Sequence, residues 1–296
     1  MKELVTVLLL LASLNASPVH AVSPADKHSA MPASTGLAWS AVSFTASRDG
    51  ADLSGWWFEG RPDMPVLVLF DRGRGSMGDL LPVVVEFAAR GFTVMTFDYR
   101  DFGPAGPGAV DSLQQLAFAS RWVNDAEGAL QFARSRANKR PVFAWGQDLG
   151  GSVAVAAASR DRSHADAVAC EGLFRTLNEL LRTSGLQQVT GAIERHRFLV
   201  ETSDEPGSAI GNLMVPLHVI IAGKDDVFPA AVTQEVVRRS LSRIDRWILP
   251  EAKYDGVETT AGYYDRLSAW FLRIAGMIKA AAAATPAPEP RAPEPK

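Results

Sequence analysis

The sequence lacks a second cysteine, and it has no excess of charge of one sign. Cys170 has no partner for an internal disulfide, so no disulfide scaffold is possible. Basic and acidic residues are interleaved and nearly balanced, at 30 and 33 with a formal net charge of −3, so no basic stripe is available for nucleic acid. The acidic residues also lack histidines at the spacing of metal ligands. We expect no nucleic-acid partner, no metal and no cofactor.

The two ends of the chain have compositions that differ from the middle. An apolar run from Leu4 to Leu14 precedes the small-x-small pattern Val19-His20-Ala21. Because this run is shorter than the roughly 20 residues that cross a bilayer, it favours a cleaved signal peptide over 1–21 rather than an uncleaved anchor. We expect export to the periplasm or the exterior, no transmembrane segment after cleavage, and a flexible leader over 22–36. Residues 280–296, rich in alanine and then proline, predict a disordered tail.

Between these ends, residues 37–279 form a single predicted domain. Two alternating segments around a Gly-containing turn predict an antiparallel hairpin. Short continuous apolar runs separated by helix-length segments then predict a parallel sheet whose crossover helices cover both faces. The predicted strands are Ala38 to Thr45, Leu53 to Phe58, Val66 to Phe70, Thr93 to Phe97, Val142 to Trp145, Ala165 to Ala169, Leu217 to Ile221 and Arg246 to Leu249. The predicted helices are Leu80 to Arg90, Leu116 to Arg136, Leu149 to Ser159, Pro229 to Leu241 and Thr260 to Ile278.

The segment from Gly146 to Gly151 reads GQDLGG and joins a predicted strand to a predicted helix. Glycines two positions either side of a central residue allow a strained turn that exposes that residue. The spacing is that of a nucleophile elbow. Asp148 occupies the central position.

Three stretches together resemble the α/β-hydrolase superfamily, in its serine-hydrolase branch. Residues 97–103, FDYRDFG, are similar to that branch's FDYRGFG, GQDLGG is similar to GQSLGG, and Gly223 to Pro229 is similar to its GxxD segment. The resemblance covers about residues 38–278. It implies an α/β-hydrolase fold: a mostly parallel eight-stranded sheet with helices on both faces and a short lid over about 172–214.

The resemblance also implies where catalytic residues would stand, namely a nucleophile at the turn, an acid after the seventh strand and a histidine after the eighth. Asp148 is at the nucleophile position, as in haloalkane dehalogenases and epoxide hydrolases of this fold. Counting from Gly223 gives Asp226 as the acid, and counting back from Pro229 gives Asp225.

Lys253 stands at the histidine position, and none of the five histidines follows the eighth strand. His28 lies in the leader, His164 precedes a strand, His196 lies in the lid region and His218 begins a strand, while His20 is removed with the signal peptide. We therefore hypothesise that an ion pair between Asp148 and Lys253, backed by Asp225 or Asp226, replaces the triad.

The oxyanion region is altered as well. The backbone amides of Leu149 and Arg72 are the predicted donors. Arg72, Arg74 and Arg100 either form an anion site at the mouth of the sheet or pair with nearby acids such as Asp71 and Asp101.

These observations favour an exported protein with a degenerate catalytic triad, which is non-catalytic and binds a small molecule or a partner. The alternative is an active hydrolase of ester or carbon–halogen bonds with Asp148 as nucleophile. A residual esterase using Ser76 or Ser152 has no motif behind it. The oligomeric state is not indicated.

Overall fold

The computed structural model describes residues 23–100, 102–105, 118–176, 179 and 202–284. The predicted signal peptide, most of the predicted lid with His196, and the tail beyond residue 284 lie outside this range.

One large sheet runs through the domain. The strands are β1 Ser23–Pro24, β2 Trp39–Thr45, β3 Asp52–Phe58, β4 Val66–Phe70, β5 Arg74–Gly75, β6 Thr93–Phe97, β7 Val142–Gln147, β8 Ala167–Glu171, β9 Leu217–Ala222 and β10 Ile244–Leu249. Eight of them form the large sheet in the order β10-β9-β8-β7-β4-β6-β3-β2. Strands β2 and β3 pair antiparallel, and β3 also pairs antiparallel with β6. All other pairs in this sheet are parallel. The predicted hairpin and the six parallel strands are confirmed.

The α-helices are α1 Leu81–Ala89, α2 Phe118–Arg136, α3 Leu149–Arg160, α4 Pro206–Ala209, α5 Ala230–Val237 and α6 Tyr263–Ala284. Short 3₁₀ turns occupy Pro32–Thr35, Met77–Leu80, Gly103–Ala105, Thr202–Asp204, Ile210–Asn212 and Tyr254–Gly256.

The core is divided by the sheet into two layers. Strand β4 shows why its sequence is apolar throughout: Val66, Val68 and Phe70 pack into one layer with α2, α3 and α5, whereas Leu67 and Leu69 pack into the other with α1 and α6. Since side chains of a strand alternate in direction, a strand covered on both faces must be apolar at every position. The prediction of helices on both faces is confirmed.

Helix α6 is long and apolar enough to cross a membrane by length and composition alone. Its inner face, including Leu267, Phe271 and Ile274, is buried in the second core layer. The helix continues to Ala284, five residues into the segment predicted as tail.

The described part of the predicted leader is packed against the domain. Strand β1 pairs with β5, Ser29 and Ala30 contact the loop that follows β4, and His28 contacts Asp98 just after β6. Side chains of residues 28 and 29 thus have partners far along the chain, while the flexibility of the leader stays a prediction.

Candidate functional site

Asp148 stands at a sharp turn between β7 and α3, with φ 53° and ψ −113°. The flanking glycines are required by close backbone approach. A Cβ on Gly146 would lie 2.5 Å from the Gly150 carbonyl carbon, and one on Gly150 would lie 2.3 Å from the Phe70 oxygen. The Asp148 amide donates to the Glu171 carbonyl oxygen at 2.8 Å. The turn therefore has the geometry of a nucleophile elbow.

The Asp148 carboxyl group is only 6% exposed, and burial raises its pKa to about 7. The neighbouring Arg72 guanidinium and Tyr254 hydroxyl favour the charged form and limit this rise, whereas the negative charge of Asp225 adds to it. Oδ1 points toward Gly172, where a Cβ would lie 3.1 Å away. Near neutral pH the carboxyl group is divided between its neutral and charged forms.

The hypothesis of an ion pair between Asp148 and Lys253 is wrong. Lys253 is exposed and precedes the 3₁₀ turn Tyr254–Gly256, and no salt bridge joins it to Asp148. The next residue, Tyr254, is turned inward and is 8% exposed. Tyr254 therefore occupies the space beside Asp148 into which Lys253 was expected to reach.

Tyr254 is held by rings and charge rather than by hydrogen bonds. Its ring centroid lies 5.7 Å from that of Phe228, and the Arg74 guanidinium lies over the ring at 4.8 Å from the centroid. The hydroxyl has no hydrogen bond of normal geometry to any described residue, although it lies beside Asp148. Burial and the charge of Asp148 raise the pKa of Tyr254 well above its usual range, so its hydroxyl stays protonated.

Of the two acids after β9, Asp225 is turned toward the site and Asp226 is exposed. Asp225 Oδ1 accepts the amides of Val227 at 2.8 Å and Phe228 at 2.7 Å. Burial raises the pKa of Asp225, and these two amides oppose the rise. Of the two candidates for the acid position, Asp225 is therefore the one whose charge acts on Asp148, and Asp226 is exposed.

The arginines at the mouth are already paired with acids. Arg72 reaches Glu258 at 3.2 Å and Asp255 at 3.3 Å, and Arg74 reaches the same Asp255 oxygen at 3.1 Å. Burial opposes the charge of Arg72, but Asp148 and Glu258 outweigh it and raise the pKa of this guanidinium. Of the two interpretations of these residues, pairing with acids is the one observed for both.

Arg100 is distant from the mouth in its contacts and pairs with Asp49 at 2.7 Å and with the buried Asp125. Asp101, the other acid expected near these arginines, lies outside the described residues. An anion site built from Arg72, Arg74 and Arg100 is therefore not formed.

A buried polar chain that the sequence analysis missed runs beneath the elbow. Gln147 Nε2 donates to Glu171 Oε2 at 2.9 Å and also to Glu258, while its Oε1 accepts from Arg72. The Tyr263 hydroxyl donates to Glu171 and accepts from the Trp145 indole at 3.0 Å. Burial raises the pKa of Glu171 to about 8, so this carboxyl group is largely neutral at pH 7. The feature of the sequence that could have indicated this chain is Glu171, an acid at the end of the otherwise apolar strand β8.

In the oxyanion region, the Leu149 amide has the expected position, and the loop after β4 makes hydrogen bonds of its own. Leu149 is the first residue of α3, where amides lack partners within the helix. In the loop after β4, the Gly73 amide donates to Asp71 Oδ1 at 2.8 Å. Burial raises the pKa of Asp71 to about 8. Donation by the Leu149 and Arg72 amides to a ligand stays a prediction.

The histidines of the described range do not contact Asp148. His28 pairs with Asp98, His164 lies near Asp161 and Glu127, and His218 contacts the rings of Trp247 and Trp270. Ser76 is buried under the leader and Ser152 is buried within α3. None of these groups is placed to activate water at Asp148.

An open cavity of about 340 Å³ is lined in part by Arg72, whose charge also acts on Asp148. Leu80 and Val83 form its apolar wall, and its other lining residues are polar. The lining residues are Asp71, Arg72, Arg74, Asp79, Leu80, Val83, Gln147 and Glu258. This cavity has the volume of a small-molecule site.

Comparisons with known proteins agree with this fold. Residues 62–195 match the family described as serine aminopeptidase, S33. The polyketide transferase grgF of Penicillium sp. is 26% identical over 267 residues, which cover 88% of this chain and 81% of that protein. Protein bem46 of Schizosaccharomyces pombe is 24% identical over 122 residues, and the match covers 40% of this chain and only 38% of bem46.

Solved structures with the same architecture include esterases. The Pyrococcus furiosus esterase Pf2001 superposes with a TM-score of 0.66 at 15% identity, covering 85% of this chain and 98% of that one. The acetyl xylan esterase from Paenibacillus sp. R4 gives a TM-score of 0.61 at 17% identity, covering 78% and 84%. The chain has the α/β-hydrolase fold, and its elbow lies within the stretch similar to the serine aminopeptidase S33 family.

Proposed function

We propose that this protein is an exported α/β-hydrolase-like protein that binds a small molecule at the mouth of its sheet and does not carry out the serine-hydrolase reaction. The observation that carries the proposal is the set of groups around Asp148. These are Arg72, Tyr254 and Asp225, and the described part of the chain brings no histidine to them.

None of these neighbours can serve as the base that hydrolysis requires. A general base must accept a proton near neutral pH. Arg72 is a permanent cation, and the raised pKa of Tyr254 keeps its hydroxyl protonated. Asp225 already uses one carboxylate oxygen to accept two backbone amides. A covalent intermediate on Asp148 would therefore have no neighbouring group that efficiently activates water for its hydrolysis.

The cavity beside Arg72 supports binding as the remaining role. Its wall of Leu80 and Val83 offers apolar contact, and Asp71, Gln147 and Glu258 offer hydrogen bonds. Small-molecule sites combine apolar lining with a few placed polar groups in this way.

The alternative is a hydrolase of ester or carbon–halogen bonds with Asp148 as nucleophile. Attack on the acyl carbon of an ester would displace the alcohol and leave an anhydride on Asp148, and attack on a carbon–halogen bond would displace halide and leave an ester. Water would then cleave either intermediate. It is favoured by the elbow geometry at Asp148 and by the perturbed pKa of this buried acid, which is a mark of functional sites. Asp225 would be the acid nearest to the attacking group.

Hydrolysis is tested with the full chain as exported, its Asp148→Asn variant, p-nitrophenyl acetate and a short chloroalkane. We expect equal background rates for both proteins and no mass increase on the peptide that contains Asp148. Turnover that disappears in the variant would overturn the proposal and favour the alternative.

Binding is tested by native mass spectrometry of protein purified from cells that export it. We expect a bound small molecule that is lost when Val83→Trp fills the cavity. Val85→Trp is the matched control, since Val85 lies on the same helix but is exposed. Protein that carries no ligand, or that keeps it in Val83→Trp, would contradict binding in this cavity.

A further inference from the structure

The first described residues form an arm, residues 23–30, that lies along the loop between β4 and α1. This loop, residues 71–79, is named the mouth loop. Strand β1 of the arm pairs in parallel with β5 of the mouth loop. The Ala25 amide extends the pairing by donating to the Gly75 carbonyl oxygen at 2.8 Å. The arm thus adds to the loop that borders the site and not to the main sheet.

Side chains continue this contact along the mouth loop. Ser29 Oγ donates to Asp79 Oδ1 at 2.5 Å, and Asp79 Oδ2 accepts the Ser76 amide at 2.9 Å. Ser76 Oγ donates in turn to the Lys27 carbonyl oxygen at 3.4 Å. A Cβ on Gly78 would lie 2.8 Å from the Ala30 oxygen, so the two backbones are in direct contact.

His28 joins the arm to the end of β6 through Asp98. Its Nε2 lies 2.7 Å from Asp98 Oδ2, and the other oxygen of this carboxyl group accepts the Met77 amide at 2.7 Å. The side chains of His28 and Asp98 are 11% and 6% exposed. The imidazole also packs edge-on against Trp56, with ring centroids 4.7 Å apart. One buried carboxyl group therefore holds the arm, the mouth loop and the sheet together.

The mouth loop has reason to need such support. Gly73 and Gly75 have φ values of 91° and 94°, a region that glycine adopts readily but with a large loss of chain entropy. Burial disfavours the charged form of Asp98, and the contacts of its carboxyl group with the Met77 amide and with His28 offset this cost.

The same loop carries Arg72, whose charge faces Asp148. We propose that the arm is a built-in part of the functional site, and that His28 is a positioning residue that fixes the mouth loop through Asp98. The proposal is independent of whether the site binds a ligand or hydrolyses one.

The test is hydrogen exchange of backbone amides in the full-length chain carrying His28→Ala. Exchange at Ser76, Met77 and Asp79 should accelerate by roughly tenfold or more, the factor expected for loss of one hydrogen bond to a charged group. His164→Ala is the control, because His164 is similarly buried at 15% exposure but contacts Asp161 and Glu127 instead.

Further variants separate positioning from a general loss of stability. His28→Gln keeps an N–H donor and should restore slow exchange. Ser29→Ala removes an exposed bond to the loop and should accelerate the Ser76 amide alone, which keeps the test valid should His28→Ala fail to fold. Trypsin should cut after Arg72 or Arg74 faster in His28→Ala than in His164→Ala.

A readout at the site completes the test. Freeing the mouth loop should weaken the effect of Arg72, so the pH midpoint at which Asp148 ionises should move upward in His28→Ala and return in His28→Gln. Unchanged exchange in the mouth loop, or acceleration by the same factor in β4 and β6, would overturn the proposal.

Discussion

Asp148→Asn should make the protein more stable, and increasingly so as the pH rises. The native pKa of Asp148 is about 7, against an ordinary value of 3.8, because the carboxyl group is buried. Between these two values the native state binds more protons than the unfolded state, so ionisation removes stability as the pH rises. A difference of one pH unit between the native and unfolded pKa corresponds to about 1.4 kcal/mol, so the loss reaches about 4 kcal/mol above pH 7.

Asparagine has nearly the same shape and tolerates positive φ, and it carries no charge to desolvate. We therefore expect the variant and the parent protein to be similar in free energy of unfolding at pH 4. Their difference should grow to about 4 kcal/mol in favour of the variant by pH 8. Other buried acids, such as Glu171, are present in both proteins and largely cancel in the comparison.

The assay is guanidinium unfolding at several pH values from 4 to 8, followed by tryptophan fluorescence. Asp226→Asn is the matched control, because Asp226 lies in a neighbouring loop but is exposed. The control should not show the growth of about 4 kcal/mol that is expected of Asp148→Asn. A constant difference for Asp148→Asn would refute the conclusion that burial keeps this acid partly neutral.

Two further outcomes are expected from similar measurements. Gly172→Ala should destabilise the protein by roughly 1–2 kcal/mol, because φ is 60° and the new Cβ would lie 3.1 Å from Asp148 Oδ1. Gly276→Ala, at an exposed position of helix α6, is the control and should stabilise the protein by about 1 kcal/mol. Burial lowers the pKa of His218 to about 4, so about 3 kcal/mol of stability should be lost as the pH falls from 6.5 toward 4. In unfolding curves, His218→Leu should remove this acid sensitivity. A Gly172→Ala variant as stable as the parent, or an unchanged acid transition in His218→Leu, would contradict the respective packing argument.

The main sheet could be predicted from sequence because each parallel strand is buried on both faces. Val66–Phe70 and Thr93–Phe97 were predicted with their observed ends, since polar or turn residues bound both runs. Helix ends were less accurate: α5 ends at Val237, whereas Leu241, predicted inside it, is exposed. Periodicity records which face of a helix is buried, but the last turn depends on contacts that are not local.

The sequence predicted where the site lies in the fold but not which side chains contact one another there. The elbow motif located Asp148 because its glycines are required by local backbone geometry. The choice between Asp225 and Asp226 depended on which carboxylate accepts the amides of residues 227 and 228, a local turn that sequence suggests but does not decide. The arm could not be predicted, because His28 gains its partner Asp98 from 70 residues away.

Because Tyr254 and not Lys253 faces Asp148, the position at which an introduced histidine could reach residue 148 is 254 and not 253. Lys253 has an extended backbone, with ψ 173°, and Tyr254 begins the 3₁₀ turn, so the two adjacent side chains differ in direction: Lys253 is exposed and Tyr254 is buried. Histidine at 253 would point into solvent as Lys253 does, and serine at 148 would remain without a base. The imidazole would have to enter at 254, where a tyrosine ring now contacts Phe228 and Arg74. Because the Tyr254 ring also packs against its neighbours, introducing a histidine base at this position would remove part of the packing around the site.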